Sequence, residues 1–291
     1  MLTGIVLLDK PEGLSSNGAL QRVRRLLGAA KAGHAGSLDP LATGMLPICL
    51  GEATKIAGEI LSSRKRYRFT LTLGVRTATG DREGAILERC AVPELAAERI
   101  GAVLRGFLGP GRQVPPMYSA LKRAGRPLYQ LARSGVVVER EARPIEIFEL
   151  RLLGQRTGQI ELETHCSKGT YVRTLAEDIA RELGTCGHVA SLRRSSVEPF
   201  DLEPMQTLAS IALACERGQT PRILPADWPL QHLPAVNLSA LQAGRIRHGQ
   251  PVELEKANIA AGKVRLYEDG RFLGIGEADG RAGVRPKRLF T

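Results

Sequence analysis

A mixed α/β (α+β) domain followed by a small all-β module is the fold class that this sequence predicts. Three observations carry that prediction. Strand-period and helix-period hydrophobic patterns alternate along residues 5–217, as they do where helices cover a sheet. Val172, Leu175, Ala176, Ile179, Ala180 and Leu183 make an amphipathic helical stripe closed by Gly184. From about Val236 the texture turns to short alternating runs such as Lys263 to Tyr267, with turns at Asp269-Gly270 and Asp279-Gly280. At 291 residues, one large or two modest domains are expected. We place the boundary between residues 1–235 and a small C-terminal β-barrel at 236–291.

The elements follow in order. Ile5 to Leu8 read as a buried strand, stopped by Lys10-Pro11-Glu12-Gly13. A helix begins near Ser15 or Ser16, with Leu20, Val23 and Leu27 on one face. Leu46 to Leu50 suits a strand and Gly51 to Leu61 a helix. Tyr67, Phe69, Leu71 and Leu73 alternate with Arg66, Arg68, Thr70 and Thr72, the period of a half-buried strand. Ala96, Ile100, Val103, Leu104 and Phe107 predict a helix ended by Gly109-Pro110. Residues 111–143 carry Pro115-Pro116, Tyr118, Tyr129 and bases that include Lys122, Arg126 and Arg133. Such an insertion reads either as a grip for nucleic acid or as a solvated loop. Ile160, Leu162 and Thr164 alternate into a strand, and a weak helix around 206–217 leads to a linker rich in proline.

Lysine and arginine total 41 against 30 acids, a formal net charge of +11. That excess is spread along the chain, which favours nucleic acid over a membrane surface as partner. No segment reaches the ~20 apolar residues needed to span a bilayer. The run Ile5 to Leu8 lacks a basic lead-in and is too short for a signal peptide. Cys49, Cys90, Cys166, Cys186 and Cys215 form no C-x-x-C pair and read as buried, reduced thiols of a cytosolic protein. Metal ligation by His165, Cys166, Cys186 and His188 fits no usual zinc spacing.

The stretch from His34 to Gly44 holds one acid, Asp39, between Gly33, Gly36 and Gly44, with Pro40 directly behind it. Glycine opens backbone angles closed to other residues, and proline pushes the preceding residue toward an extended geometry. The loop therefore fixes where the acid points. An N-cap with Pro40 at the first helical position is the alternative. Ser167 to Arg173 lies where a strand gives way to a helix, a place that favours an anion. Arg173 could pair there in bidentate fashion with a carboxylate. Tyr67 fits either core packing or a planar ligand. Taken alone, His34, Leu192 and Lys55 read as a structural histidine, a core leucine and a solvated lysine.

Several stretches together resemble the TruB family of tRNA pseudouridine-55 synthases in its bacterial stand-alone form. They are Leu8 to Asn17, His34 to Gly44, Gly51 to Lys55, Lys65-Arg66-Tyr67, Pro116 to Lys122 and His165 to Thr174. They stand in the family's order across most of residues 4–200, whereas about 200–235 matches weakly. The resemblance implies a pseudouridine synthase fold with a central, largely antiparallel sheet flanked by helices, and a PUA-like C-terminal domain. It implies isomerisation of the T-loop uridine of tRNA, position 55, with Asp39 as the catalytic aspartate. It further implies His34 in the loop, Tyr67 stacking on the base, Tyr171 as a second site tyrosine and Arg173 pairing the carboxylate. Leu192 would be an apolar pocket residue, Lys10 and Lys55 bases that support the site, and residues 115–143 an RNA-gripping insertion.

Uridine becomes pseudouridine when the N-glycosidic bond breaks, the uracil turns and a C–C bond forms. The base must first leave its stack, and an aromatic such as Tyr67 can receive it for ~1–3 kcal/mol of stacking. No redox, hydrolytic or metal step is required, so no cofactor is expected. The expected protein is a cytoplasmic monomer acting on the tRNA T-arm without membrane or obligatory protein partner. A guide-RNA-dependent subunit, a non-catalytic RNA-binding or RNA-folding protein and a hydrolase are the rivals. The hydrolase would need a second acid or base for which no motif is present.

Overall fold

The computed structural model describes residues 2–254 and 259–290. Strand β1 (Gly4–Lys10) is buried on both faces. Ser15 caps α1 (Ser16–Leu26) by accepting a hydrogen bond from Gly18 N, and the helix turns Ala19, Leu20 and Val23 inward. Strands β2 (Ala32–His34) and β3 (Thr43–Leu50) pair antiparallel, and β3 pairs with β1 along its length. Over 51–61 a 3-10 stretch (Gly51–Ile56) precedes a short α2 (Ala57–Leu61). Strand β4 (Lys65–Leu73) has the predicted alternation, with Phe69, Leu71 and Leu73 inward.

A side hairpin of β5 (Val75–Thr77) and β6 (Ile86–Arg89) follows, which no alternation in the sequence announces. Helix α3 (Ala97–Gly106) buries Ile100 and Leu104. The insertion begins as an edge strand, β7 (Gly109–Gln113). It projects a small hairpin of β8 (Lys122–Arg123) and β9 (Arg126–Pro127), then α4 (Leu128–Arg133), and returns as β10 (Arg143–Arg156). Strand β11 (Gln159–Cys166) pairs with both β10 and β4. Helix α5 (Val172–Glu182) buries its predicted apolar stripe, and β12 (Gly187–Val197) runs beside β4.

The eight-stranded central sheet has the order β1-β3-β12-β4-β11-β10-β7, with β2 on β3. Every pairing is antiparallel except a short parallel one, Arg193 to Thr43 and Arg194 to Gly44. α3 and α5 cover one face of the sheet, where Phe69, Leu71, Leu162, Leu175 and Ile179 form a core. At the other end α1 packs against Val6, Leu8, Leu46 and Ile48 together with α6 (Leu208–Glu216). Each such side chain fully buried contributes roughly 1.5–3 kcal/mol.

The segment after α6, expected as a linker, is part of the core. Ile5 N donates to Leu224 O at 2.9 Å and Leu224 N to Ile5 O at 2.8 Å. Leu224, Ala226 and Leu230 are buried beside Ile5 and Leu7. The C-terminal part contains β13 (Ala235–Asn237), α7 (Ala240–Arg247), β14 (Val252–Glu253), β15 (Gly262–Glu268), β16 (Arg271–Ala278) and β17 (Gly283–Leu289). Its five strands, in the order β13-β15-β16-β17-β14, curl into a half-barrel. Asp269 and Gly270 turn the β15–β16 hairpin at φ of 48° and 76°, as the Asp-Gly pair predicts. This sheet is seated on the rest of the molecule. Ile275 joins the cluster of Ile5, Leu7, Phe200 and Leu230, with Phe272 and Phe290 packed against it. Lys263 Nζ lies 2.7 Å from both carboxylate oxygens of Glu59.

The five cysteines are not all reduced thiols, contrary to expectation. Cys90 and Cys186 are joined in a disulfide, and Cys49, Cys166 and Cys215 are free. Backbone hydrogen bonds from Gly74 N to Cys186 O (2.7 Å) and from Cys90 N to Gly74 O (2.9 Å) bring the end of the side hairpin to the α5–β12 junction. The two positions are 96 residues apart, so their meeting is a tertiary result that cysteine spacing does not encode. His165, Cys166, Cys186 and His188 do not converge on a metal site: His165 faces Glu198 at 3.1 Å and His188 Nδ1 faces Val75 O at 2.8 Å. Among the described residues no helix is long and apolar enough to cross a membrane.

Candidate active site

The Asp39 loop joins β2 to β3 and is tied down from beneath. Ser16 Oγ donates to Leu38 O at 2.9 Å and accepts from Leu38 N at 2.7 Å. Lys10 Nζ, wholly buried, donates to Pro11 O (2.8 Å), Leu14 O (2.7 Å) and Pro40 O (3.3 Å). Removal from water at that place pushes the Lys10 ammonium down to about 8. Leu38, Leu41 and Ala42 anchor the loop in the core. No helix follows Pro40. Ala42 N instead donates to Asp39 O at 3.0 Å, so the acid stands in a turn and caps nothing. Gly44 closes the loop at φ +98°, where a Cβ would lie 2.2 Å from Arg194 O.

Arg173 comes from the first turn of α5. Its Nε lies 2.9 Å from Asp39 Oδ2, with only 5% of the Arg173 side chain exposed. The pair is single-armed, not the expected bidentate one. Arg173 Nη1 donates to Thr79 O at 2.6 Å and Nη2 to Tyr118 O at 2.7 Å. The guanidinium thus ties together the Asp39 loop, the side hairpin and the insertion. A second carboxylate, buried Asp81, lies 3.8 Å from Nη1 and is held by Thr79 Oγ1 (2.5 Å) and Glu83 N (3.1 Å). Burial pushes the Asp39 pKa upward, the Arg173 charge opposes that rise and the Asp81 charge adds to it. The Asp39 side chain keeps 39% of its surface open to the cleft, so its desolvation is completed only when a ligand covers it.

The cleft in front of Asp39 has a volume of about 370 Å³. Tyr67, Leu192, Tyr171 and Val172 give it apolar walls, and Ser119 to Leu121 of the insertion close one side. Gln113 fixes Tyr171: its Oε1 accepts from Tyr171 N at 2.8 Å and its Nε2 donates to Tyr171 O at 3.1 Å. Burial raises the pKa of the Tyr67 hydroxyl, an effect that the facing Arg194 charge opposes. Lys65 also lines the cleft, and burial lowers its pKa to about 8. The apolar walls leave a slot for a flat ring, and the Asp39 carboxylate lies at its edge.

Of the residues singled out in the sequence, Asp39, Tyr67, Tyr171, Arg173 and Leu192 line this one cleft. Three other expected residues are not part of the cleft lining. Lys10 braces Pro40 from below. Lys55 hydrogen-bonds to Glu52 and to Leu289 O, the latter at 2.8 Å, and so joins the 3-10 stretch to the C-terminal sheet. His34 ends β2 with its Nδ1 buried and, among the described residues, without a hydrogen-bond partner. Burial, helped by the Arg194 charge, lowers its pKa. Sequence reasoning missed Asp81, Gln113 and Arg194. A buried acid in Thr79-Gly80-Asp81 near a glycine turn is the one trace of them in the sequence.

The family model described as TruB family pseudouridylate synthase (N terminal domain) matches residues 24–172. Those described as tRNA pseudouridylate synthase B C-terminal domain and as Pseudouridine synthase II TruB, C-terminal match residues 173–231 and 234–290. The protein named tRNA pseudouridine synthase B of Chromohalobacter salexigens is 48% identical over 291 residues, covering 100% of this chain and 95% of that protein. The protein of the same name from Escherichia coli (strain K12) is 45% identical over 302 residues, covering 100% of this chain and 96% of its own length. In fold the chain is similar to a solved Cbf5-Nop10-Gar1 complex, at a TM-score of 0.73 and 23% identity, covering 99% of this chain and 85% of that one. This chain belongs to the TruB family of pseudouridine synthases.

Proposed function

We propose that this chain isomerises uridine to pseudouridine in tRNA, at the T-loop uridine, with Asp39 as the catalytic carboxylate. One observation carries the reading: Arg173 holds Asp39 at 2.9 Å on the rim of a cleft walled by Tyr67, Tyr171 and Leu192. A flipped uracil enters between the rings and Leu192, at a cost of a few kcal/mol for leaving its stack. Base–aromatic stacking offsets that cost. Asp39, held ionised by Arg173, acts as nucleophile toward the sugar or the base and breaks the C1′–N1 bond. The uracil turns in the pocket, C5 bonds to C1′, and the bond made by the Asp39 oxygen breaks to release the free carboxylate. A proton then leaves C5 and one is gained at N1, which makes the reaction an isomerisation. The Tyr67 hydroxyl is the polar group of the stacking wall and the candidate for that proton transfer.

The remaining expectations fit around this centre. Residues 1–235 form the catalytic domain and 236–291 a PUA-like RNA-binding domain. The insertion grips the T-arm, and His34 meets the RNA beside the extruded base. The enzyme acts in the cytoplasm as a monomer with no obligatory protein partner. The likeness to the Cbf5-Nop10-Gar1 complex motivates one second reading, a synthase subunit that needs partners.

Purified chain is incubated with unmodified tRNA and with a T-arm minihelix, and the modified positions are mapped. Pseudouridine at the T-loop site on both substrates, abolished by Asp39→Asn with tRNA binding intact, is the expected result. Turnover by Asp39→Asn would remove Asp39 from its role. Activity only on addition of other proteins would favour the second reading.

A further inference from the structure

Arg194 is one of the largest fully buried side chains in the molecule, with 1% of its surface exposed. Among the described residues no carboxylate lies within ion-pair distance of it. Its donors go to the Asp39 loop and to the start of β3 instead. Nε donates to Met45 O at 2.7 Å, Nη2 to Gly36 O at 3.0 Å and Nη1 to Ser37 O at 3.5 Å. The backbone around it is equally specific. Arg194 stands opposite Tyr67 in the antiparallel β12–β4 ladder and opposite Gly44 in the parallel β12–β3 pairing. Directly opposed residues of a ladder lie within side-chain reach of each other. Both Arg194 and Tyr67 line the cleft in front of Asp39.

A buried cation with no acid beside it is an expensive way to satisfy carbonyl oxygens. We propose that Arg194 is a positioning residue that locks the Asp39 loop and Tyr67 into one unit and holds the Tyr67 oxygen ready for proton transfer between N1 and C5 of the uracil. The inference rests on the function proposed above. Once the C5–C1′ bond has formed, the Tyr67 O–H proton passes to N1 and leaves a phenolate. That phenolate then takes the proton from C5, which restores the phenol and completes the isomerisation. No external acid, base or oxidant enters the balance. Arg194 stabilises the phenolate during its brief existence, in the manner of preorganised donors aimed at developing charge. Burial is the largest influence on the Tyr67 hydroxyl and opposes its ionisation, as do the Cys166 and Asp39 charges; the Arg194 charge and hydrogen bond are what favour the ionised form. Burial lowers the pKa of Lys65 and His34, and the Arg194 charge adds to that lowering.

The test uses full-length Arg194→Lys and Arg194→Gln, with thermal melts to establish folding. Single-turnover rates are measured on tRNA whose target is uridine or 5-deuterouridine, and tRNA affinity is measured separately. A misaimed hydroxyl predicts a rate about 100-fold lower in Arg194→Lys, the scale expected for misplacement of about 1 Å. Affinity stays that of the native enzyme, and the deuterium isotope effect grows because C5–H cleavage has become slow. Should Arg194→Gln fail to fold, Arg194→Lys carries the test, since it keeps the charge and loses only the fork. A native rate in Arg194→Lys, or a lowered rate with an unchanged isotope effect, overturns the inference and leaves the proposed function standing. Absence of pseudouridine with the native enzyme overturns the proposed function itself.

Discussion

Replacing Arg173 by methionine tests the acid–guanidinium pair at the centre of the site. The substitution removes the Nε–Oδ2 contact at 2.9 Å and the donors to Thr79 O and Tyr118 O at 2.6 and 2.7 Å. Breaking a fully buried ion pair costs about 3–5 kcal/mol. Asp39 keeps 39% of its side chain open to the cleft, so water takes up part of that loss, and about 2–3 kcal/mol is the appropriate scale. That corresponds to a rate about 30- to 150-fold lower. The sign of the pH effect follows from the surroundings. Burial and the Asp81 charge already push the Asp39 pKa up, and Arg173 opposes them. Without Arg173 the pKa rises further, and a reaction that needs the carboxylate ionised gains rate as pH rises through it. The deficit of Arg173→Met should therefore be greatest in acid and shrink toward alkaline pH. Single-turnover pseudouridine formation on saturating tRNA, across a series from about pH 5.5 to 9 that begins above the ordinary carboxylate range, measures this. A native rate at neutral pH refutes the reasoning, and so does a deficit that is constant across the series.

Other outcomes follow from single features. Gly44→Ala places a Cβ 2.2 Å from Arg194 O at φ +98°, strain of about 1–3 kcal/mol; a lower melting temperature and slower turnover are expected, and a native-like melt would refute the crowding. Cys90→Ser opens a cross-link spanning 96 residues, worth about 4.7 kcal/mol in the chain-entropy model. Denaturant unfolding should show a large loss that reductant reproduces in the native chain; equal stability with and without reductant contradicts the pairing. Arg126 is exposed on the insertion hairpin. Arg126→Ala should weaken tRNA binding and lower the log–log salt slope by about 1 without changing the rate on bound tRNA, and an unchanged slope would remove Arg126 from the interface.

Much of the site is legible in the sequence because its residues carry local signals. Asp39 sits among glycines with a proline behind it, Tyr67 opens an alternating strand, and Arg173 stands in the first turn of a strongly amphipathic helix. What could not be read is what depends on distant backbone. Arg194 bonds to carbonyls some 150 residues away. Its strand hides because Arg193-Arg194-Ser195-Ser196 has the polarity of a loop, although β12 runs through the middle of the sheet. Gln113 and Asp81 work through Tyr171 and Arg173, and no periodicity marks either. The single-armed contact of Arg173 was hidden for the same reason, since its other donors answer to Thr79 and Tyr118. The Pro-rich segment 221–234 resembles a tether by composition. It became core because Leu224 and Leu230 found β1.

The way Ile275, Phe272 and Phe290 wedge against Ile5, Leu7 and Trp228 has a mechanical consequence. The half-barrel cannot swivel on a hinge without exposing those apolar side chains to water, so the two ends of the molecule keep a set separation. Any RNA that touches both must match that span. Severing the chain near residue 235 would strip one wall from an inner cluster, and heat should melt both parts in a single cooperative step.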